Sequence, residues 1–229
     1  MKCWICGDEA SSGEHMTKAS DIHSLFGPVS HRTPLFIHTS ERRNQAVPGV
    51  KSNKLKFKAL LCTRCNNERT QPHDRAWEAL SKYLRERQPP IRPGVIVRLA
   101  PVFPGSVHRS MLNVHLFFLK LFGCLVVEHS IPIDIGAFSS SMLKGSAHPN
   151  VYLAFRAITD PRFHRHAGQS EVQTAQLHGR VAFASWFYEV GPLSVSVMYA
   201  EQNQHRKGLL NAWHPSSITK LIRIAEGET

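Results

Sequence analysis

Residues 60–67 read LLCTRCNN and contain the second of two Cys-x-x-Cys pairs in this chain. The first pair lies far upstream, in the segment MKCWICG at residues 1–7. A turn of this spacing places two sulfur atoms on one side of a knuckle, and two such knuckles together form a tetrahedral sulfur site. The sequence therefore predicts one structural zinc ion, with redox-active pairs and an iron–sulfur site as the alternatives. The four predicted ligands are Cys3, Cys6, Cys62 and Cys65.

The charge balance of the chain indicates a polyanionic partner. The 229 residues carry a net charge of +11 with histidine neutral. Such an excess favours nucleic acid or an anionic membrane face as the partner, and a basic protein without such a partner is the alternative.

Cysteine usage and hydropathy predict a soluble, cytoplasmic protein without a membrane partner. The N-terminus lacks the apolar core of a signal peptide. The longest apolar stretch, residues 114–127, is interrupted by His115 and Lys120 and is too short to cross a bilayer. Five cysteines in such a chain argue against a disulfide framework, and the unpaired Cys124 is predicted to be a buried apolar residue.

A cluster of proline and glycine, QPPIRPG at residues 88–94, divides the chain. Such a segment neither continues a helix nor enters a central strand. We predict an α+β protein with a zinc domain at residues 1–88, a linker at 89–94, and an α+β domain with an antiparallel sheet at 95–229. The second domain is expected to select the target, to bind a partner protein or a second copy of the chain, or to cover the active site.

Hydrophobic periodicity assigns the individual elements. Predicted helices lie at 72–87, 110–128 and about 133–143. Predicted strands lie at 54–61, 95–100, 151–158, 176–188 and 193–200, and a segment of mixed character lies at 218–224. Residues 27–53 are predicted to form a long loop.

Three ordered motifs stand in the first part of the chain: C3-W-I-C6, G13-E14-H15 and C62-T-R-C65-N66. Together they resemble the HNH endonuclease family in its zinc-stapled form, and the resemblance covers roughly residues 1–87. It implies a treble-clef-like ββα-metal fold in which a hairpin and a helix grip one divalent cation.

The resemblance also implies roles for individual residues. Glu14 stands at a metal-binding carboxylate position, His15 at the catalytic histidine, and Asn66 at a further metal ligand. Phe57 stands where the family often has asparagine. Asp74 is a tentative additional ligand, and Asp21 is another acidic residue that could substitute for the missing one.

The chemistry of these side chains fits phosphodiester hydrolysis. A neutral histidine can accept a proton from water, and carboxylate and amide oxygens suit Mg²⁺ or Mn²⁺. Adjacent residues of a strand point to opposite faces, so Glu14 and His15 can act together only if the backbone turns near Gly13. His73 and Asn67 are secondary candidates; a helix-dipole role for Asp74 and a capping role for Asn67 are the alternatives.

Basic residues predict a track for nucleic acid, with DNA favoured over RNA. The predicted contacts are Lys18, Arg42, Arg43, Lys54, Lys56, Lys58, Arg64 and Arg69. The function predicted from the sequence is metal-dependent endonucleolytic cleavage with His15 as general base. The alternatives are a catalytically inactive zinc module that binds nucleic acid and a zinc-scaffolded module that binds protein.

Overall fold

The computed structural model describes residues 1–39, 43–209, 211–217 and 219–226. It confirms a mixed α+β fold with antiparallel sheets and an N-terminal cluster of four cysteines. The helices are α1 (Ala19–Phe26), α2 (Gln71–Glu86), α3 (Val107–Glu128) and α4 (Ile135–Lys144). The strands are β1 (Ser12–His15), β2 (Leu35–Ile37), β3 (Gln45–Val47), β4 (Lys56–Leu61), β5 (Ile96–Arg98), β6 (Val151–Ala157), β7 (Ala167–Gln169), β8 (Gln173–Leu177), β9 (Arg180–Val190), β10 (Leu193–Ala200) and β11 (Leu221–Glu226).

The N-terminal part contains two small antiparallel sheets. β1 pairs with β4, and α2 follows β4 after a helical turn at Arg64–Arg69. Between the two strands, the predicted loop at 27–53 contains a short hairpin in which β2 pairs with β3. The hairpin was not predicted because its strands are only three residues long, too short to show a period of two.

The C-terminal part is built on a seven-stranded sheet. The strand order is β5-β11-β6-β10-β9-β7, and β8 pairs with the other half of β9. All pairs are antiparallel except β6 with β11, which are parallel. The single strand predicted at 176–188 is wrong: His178 and Gly179 both have positive φ and form the tight turn that separates β8 from β9.

α3 lies at the centre of the molecule, and this explains its composition. It packs against α2, α4, β4 and β6, so nearly its whole circumference is buried. It is the one helix of the described residues that is long and apolar enough to cross a membrane, but 78% of its most apolar window is buried inside the protein. Such burial is consistent with the core helix of a soluble protein.

The hydrophobic core continues across the proline-rich segment at 89–94. Trp77 of α2 stacks on Phe117 at 5.5 Å between ring centroids and meets Phe118 edge-on at 4.8 Å. Tyr188 of β9 contacts the same Trp77 ring at 5.5 Å. The domain boundary stays a prediction, and the parts on either side of it share one core.

Candidate metal centre and active site

The four cysteines of the two knuckles lie together. Their sulfur atoms are all within 4.8 Å of one another, and the Sγ atoms of Cys6 and Cys62 are 3.5 Å apart. Tetrahedral zinc with Zn–S bonds of about 2.3 Å would hold sulfur atoms about 3.8 Å apart, so the cluster fits such an ion after small adjustments. The second knuckle is tightened by backbone N–H groups, since Cys65 donates to the Cys62 sulfur at 3.3 Å and Asn66 to the Cys62 carbonyl at 2.9 Å.

The thiol chemistry of the cluster also fits a metal. Burial raises the pKa of Cys6 to about 11 and raises the pKa of Cys65 as well. Without a cation these thiols would hold their protons, and zinc binding would release them. The Arg69 guanidinium donates to the Cys65 sulfur at 3.0 Å, where it would offset the negative charge of a zinc ion bound by four thiolates. The structure thus places Arg69, predicted as a phosphate contact, beside the four-cysteine cluster.

Glu14 and His15 lie at an irregular point of the β1–β4 ladder. Gly13 is opposite Leu60 and His15 is opposite Lys56, so three residues of β4 face Glu14 alone. The backbone bulge therefore lies on β4 and not at Gly13. The Glu128 carboxylate at the end of α3 accepts hydrogen bonds from two backbone N–H groups of the bulge, at 2.6 Å from Lys58 and 3.3 Å from Ala59.

The His15 ring is held by one directional contact. Its Nε2 lies 3.0 Å from the carbonyl oxygen of Val50. A carbonyl can only accept, so Nε2 carries the hydrogen and the neutral ring keeps its lone pair on Nδ1. Burial lowers the pKa of His15, and the Val50 carbonyl and the Glu14 carboxylate oppose this shift without reversing it. The ring is therefore neutral near pH 7.

Glu14 and Asp74 both contact Lys120, a residue of α3. The Lys120 ammonium is 3.0 Å from the Glu14 carboxylate and 2.9 Å from the Asp74 carboxylate. Its side chain is completely buried. Burial alone would lower the pKa of Lys120, but the two carboxylates outweigh it and raise that pKa. Lys18 adds a second cation to the other oxygen of Asp74, at 3.2 Å, and reaches Glu78 at 3.5 Å.

The Asn66 side chain binds β1 through its amide nitrogen. Its Nδ2 donates to the Ser12 hydroxyl at 2.8 Å and approaches the Gly13 carbonyl at 3.5 Å. Its Oδ1 is buried and has no hydrogen-bond partner among the described residues. An amide oxygen in this position could accept a water molecule or a cation.

This donor set does not form an open site for Mg²⁺ or Mn²⁺. The Lys120 ammonium already bridges Glu14 and Asp74, and a divalent cation added between them would meet it at close range. Phe57, at the position where the resemblance implies asparagine, is only 3% exposed and belongs to the core. Lys120 contacts one oxygen each of Glu14 and Asp74, and Lys18 contacts the other oxygen of Asp74, so Asn66 Oδ1 and the second Glu14 oxygen are the predicted ligand atoms without a protein partner among the described residues.

Two further candidates take part in structural contacts. Asp21 is buried, and its carboxylate accepts from Trp77 Nε1 and Tyr188 Oη, both at 2.8 Å, and from Ser81 Oγ at 2.9 Å. His73 donates from Nδ1 to the Asn113 side-chain oxygen at 3.0 Å, and burial lowers the pKa of its ring to about 4.

The remaining predicted phosphate contacts lie along the surface of the N-terminal part. Arg43, Lys54, Lys58 and Arg64 are exposed, and Lys56 is half-buried opposite His15. Arg42, another predicted contact, lies outside the described residues. Ile218, the first residue of the segment of mixed character at 218–224, lies outside them as well. Lys18 is engaged with Asp74 and Glu78, so it is less available to a ligand than the exposed residues.

Sequence reasoning missed three residues of the site: Lys120, Glu128 and Val50. A usable signal existed only for Lys120, because a lysine in the middle of an apolar helix must find a carboxylate if the helix is buried. The contacts of Glu128 and of the Val50 carbonyl depend on tertiary structure and leave no pattern in the sequence.

Comparison of the chain with protein-family models, with curated proteins and with solved structures finds no match.

Proposed function

We propose that the N-terminal part of this chain is a ββα-type nuclease domain that hydrolyses phosphodiester bonds in nucleic acid, with His15 as general base. The observation that carries the proposal is the bond from His15 Nε2 to the Val50 carbonyl, which orients the ring and selects the tautomer. The order β1, β4, α2, with a cysteine cluster at the end of β4, supports it as the arrangement that the resemblance implies.

The chemistry expected of His15 is proton removal from water. Nδ1 of the neutral ring takes a proton as the water oxygen forms a bond to phosphorus. The bond from phosphorus to the leaving sugar oxygen breaks, the leaving oxygen takes a proton from solvent, and His15 later returns its own proton to solvent. The ammonium groups of Lys56 and Lys18 lie near enough to disfavour protonation of His15, and the same positive charge would stabilise the charge on the phosphate.

The resemblance implies Mg²⁺ or Mn²⁺, and the experiment below measures cleavage with and without these ions. If a divalent cation is used, Asn66 Oδ1 and the Glu14 oxygen that Lys120 does not contact are the ligand atoms left for it. Without such a cation, the ammonium groups of Lys120 and Lys18 balance the charges of Glu14 and Asp74.

A second candidate function is binding of nucleic acid without cleavage. It is favoured by two observations: Lys120 lies between the two carboxylates, and Phe57 fills the position implied for asparagine with a core side chain. The zinc cluster and the exposed basic residues would serve such a module equally well.

The deciding experiment compares wild type, His15→Ala and His108→Ala, all zinc-loaded and full length. Plasmid, single-stranded DNA and single-stranded RNA are incubated with Mg²⁺, with Mn²⁺ and with no added divalent cation, and binding is measured in parallel. His108 is an exposed histidine at the start of α3 and serves as the matched control.

We expect His15→Ala to keep binding and to lose at least about a hundredfold in cleavage rate, the usual size of general-base assistance. His108→Ala should cleave as wild type does. Binding by all three proteins with cleavage by none would establish the second candidate, and equal cleavage by wild type and His15→Ala would remove His15 from the mechanism.

A further inference from the structure

The β2–β3 hairpin exposes one aromatic ring on a rigid base. Leu35 and Ile37 point inward and pack on a small cluster formed with Ile22, Val47 and Leu55. Phe36, between them, points to the opposite face by the alternation of a strand, and 58% of it is exposed. Its exposure therefore follows from how the inner face of the hairpin is anchored.

A lysine binds the backbone of the strand that pairs with Phe36. Phe36 is directly opposite Ala46 across the hairpin, and the Lys54 ammonium donates to the Ala46 carbonyl at 3.3 Å. A positive charge is thus held at the backbone carbonyl of the residue that pairs with Phe36. Arg43, just before β3, and Lys51, just after it, are also exposed.

The same segment reaches the candidate general base. Val50 follows β3 by three residues, and its carbonyl is the one that holds His15. Two residues after Lys54, Lys56 lies opposite His15 in the β1–β4 sheet. One short stretch of chain therefore carries the Phe36 ring and the Lys54 ammonium, and the His15 imidazole lies on the strand that pairs with its end.

We infer that the β2–β3 hairpin binds single-stranded nucleic acid, with an unpaired base stacked on Phe36 and an adjacent phosphate on Lys54. The inference rests on the proposed function and names its substrate class. Inside a duplex both faces of each base are covered by its neighbours, so an exposed ring stacks on an unpaired base without the cost of unstacking a base step. The exposed basic residues of the same segment match a phosphate backbone.

The test uses His15→Ala protein, so that binding is measured without cleavage. Anisotropy of a labelled single-stranded oligonucleotide of about 16 nucleotides is compared with a duplex of the same sequence. Phe36→Ala and Phe36→Leu are made, the second keeping an apolar side chain without a ring. Phe36→Trp restores a stacking surface, and Phe163→Ala removes the other exposed phenylalanine of the described residues as a matched control.

Both ring-deleting variants should weaken single-strand binding at least about fivefold, the lower end of what one stacked base contributes. Phe36→Trp and Phe163→Ala should bind as the parent does, and duplex binding should not change. Lys54→Gln should reduce the slope of log affinity against log salt by about 0.7, the value for one phosphate of a single strand.

The inference would be overturned if Phe36→Leu bound the single strand as tightly as the parent does. It would also be overturned if Phe163→Ala lost as much single-strand affinity as Phe36→Ala. A Phe36-dependent affinity for an acidic peptide, with none for the oligonucleotide, would assign the surface to a protein instead. Phe36-dependent binding by a wild type that cuts nothing would leave the inference intact and refute the nuclease proposal. Cleavage of single-stranded nucleic acid at the same rate with and without the Phe36 ring would support the nuclease proposal and overturn the inference.

Discussion

The Lys120 ammonium lies 3.0 Å from the Glu14 carboxylate, and this contact joins the centre of α3 to the Glu-His dipeptide of β1. Asp74 of α2 contacts the same ammonium at 2.9 Å. One buried cation therefore bridges two carboxylates that belong to different elements, and Lys18 supplies a second positive charge to Asp74. The candidate active site is built on α3, a helix of the C-terminal part, as well as on the residues of the N-terminal motif.

Lys120→Met should destabilise the protein strongly. The variant keeps the length of the side chain but leaves Glu14 and Asp74 without their buried partner, which typically costs about 3–5 kcal/mol. Urea unfolding measures the loss. Lys144→Met, at the exposed end of α4, is the control and should change stability by no more than about 0.5 kcal/mol.

Adding Glu14→Gln and Asp74→Asn to Lys120→Met should recover part of that stability, because the uncompensated charges are then removed. If Lys120→Met alone melted as wild type does, the ion pairs would have no energetic importance. The space between Glu14 and Asp74 would then remain open to a divalent cation.

Asp21→Asn should destabilise the protein without affecting the candidate site. The Asp21 carboxylate accepts from Trp77 and Tyr188, and an amide would aim N–H groups at one or more of these donors. The expected cost is about 2 kcal/mol or more, since hydrogen bonds to a charged group are worth about 1.5–3 kcal/mol each. Tyr188→Phe should also be destabilising, because it removes the bond to Asp21 and the acceptor of the Lys18 backbone N–H at 2.9 Å. Loss of zinc or of nucleic-acid binding in folded Asp21→Asn would show instead that Asp21 belongs to the functional site.

Local patterns predicted the parts of the fold that depend on neighbours in sequence. The stripe Trp77, Leu80 and Leu84 placed α2 within one residue at each end, and all three side chains are buried. The two Cys-x-x-Cys turns predicted the cysteine cluster because each knuckle is a local structure and a metal needs all four sulfur atoms.

Contacts between distant residues could not be predicted in this way. Lys120 was visible as a lysine in an apolar helix, but nothing local indicated that its partners would be Glu14 and Asp74. The Glu128 carboxylate satisfies a backbone bulge in β4 that exists only once β1 is paired. The role of Asp21 as a buried acceptor depends on Tyr188 from the distant sheet.

Cys62→Ser should lose the predicted zinc and lower the melting temperature. Three sulfur atoms cannot close the tetrahedral site, and even a loss of about 2 kcal/mol would lower the midpoint by about 4–8 °C in a chain of this size. Metal analysis should give one zinc per chain for wild type. Cys124→Ser is the control, because Cys124 is buried in α3 and outside the cluster. One zinc in both variants would contradict the assignment, as would none in wild type.

Gly123→Ala should be destabilising although alanine favours helices. A Cβ at Gly123 would lie 2.4 Å from the Trp4 ring, so the ring and the cysteine knuckle that carries it would have to move. Overpacking of this kind costs about 1–3 kcal/mol, which opposes the gain of about 1 kcal/mol from helix propensity. Gly49→Ala is the control, since nothing lies within 4 Å of its Cβ position. A stability above that of wild type for Gly123→Ala would show that the Trp4 ring gives way freely.

The last prediction concerns acid stability and His148. This ring is buried against Phe138, with 4.5 Å between the ring centroids, and its Nδ1 accepts from the backbone N–H of Asn150 at 3.2 Å. Burial lowers the pKa of His148 to about 4, although the carboxylates of Asp134 and Glu201 oppose the shift.

The sign of the pH effect follows from this depressed pKa. Above the ordinary histidine pKa of about 6.5 the ring is neutral whether the chain is folded or unfolded, so His148 adds no pH dependence there. As pH falls from about 6.5 to about 4, the unfolded chain binds the proton and the folded chain does not, so the free energy of unfolding decreases. Each pKa unit between the two states is worth about 1.4 kcal/mol, which gives a loss of about 3 kcal/mol from this residue.

His148→Asn isolates the contribution of the proton. The asparagine Oδ1 can take the place of Nδ1 as acceptor for Asn150, but it does not titrate in this range. Urea unfolding from pH 7 to pH 4.5 should therefore show a shallower fall of stability in the variant, by close to one proton at the steepest point. A comparable fall in both proteins would mean that His148 is protonated in the folded chain and that other groups set the acid stability. Burial also lowers the pKa of His115 well below its ordinary value, so this second ring should account for part of the fall that remains.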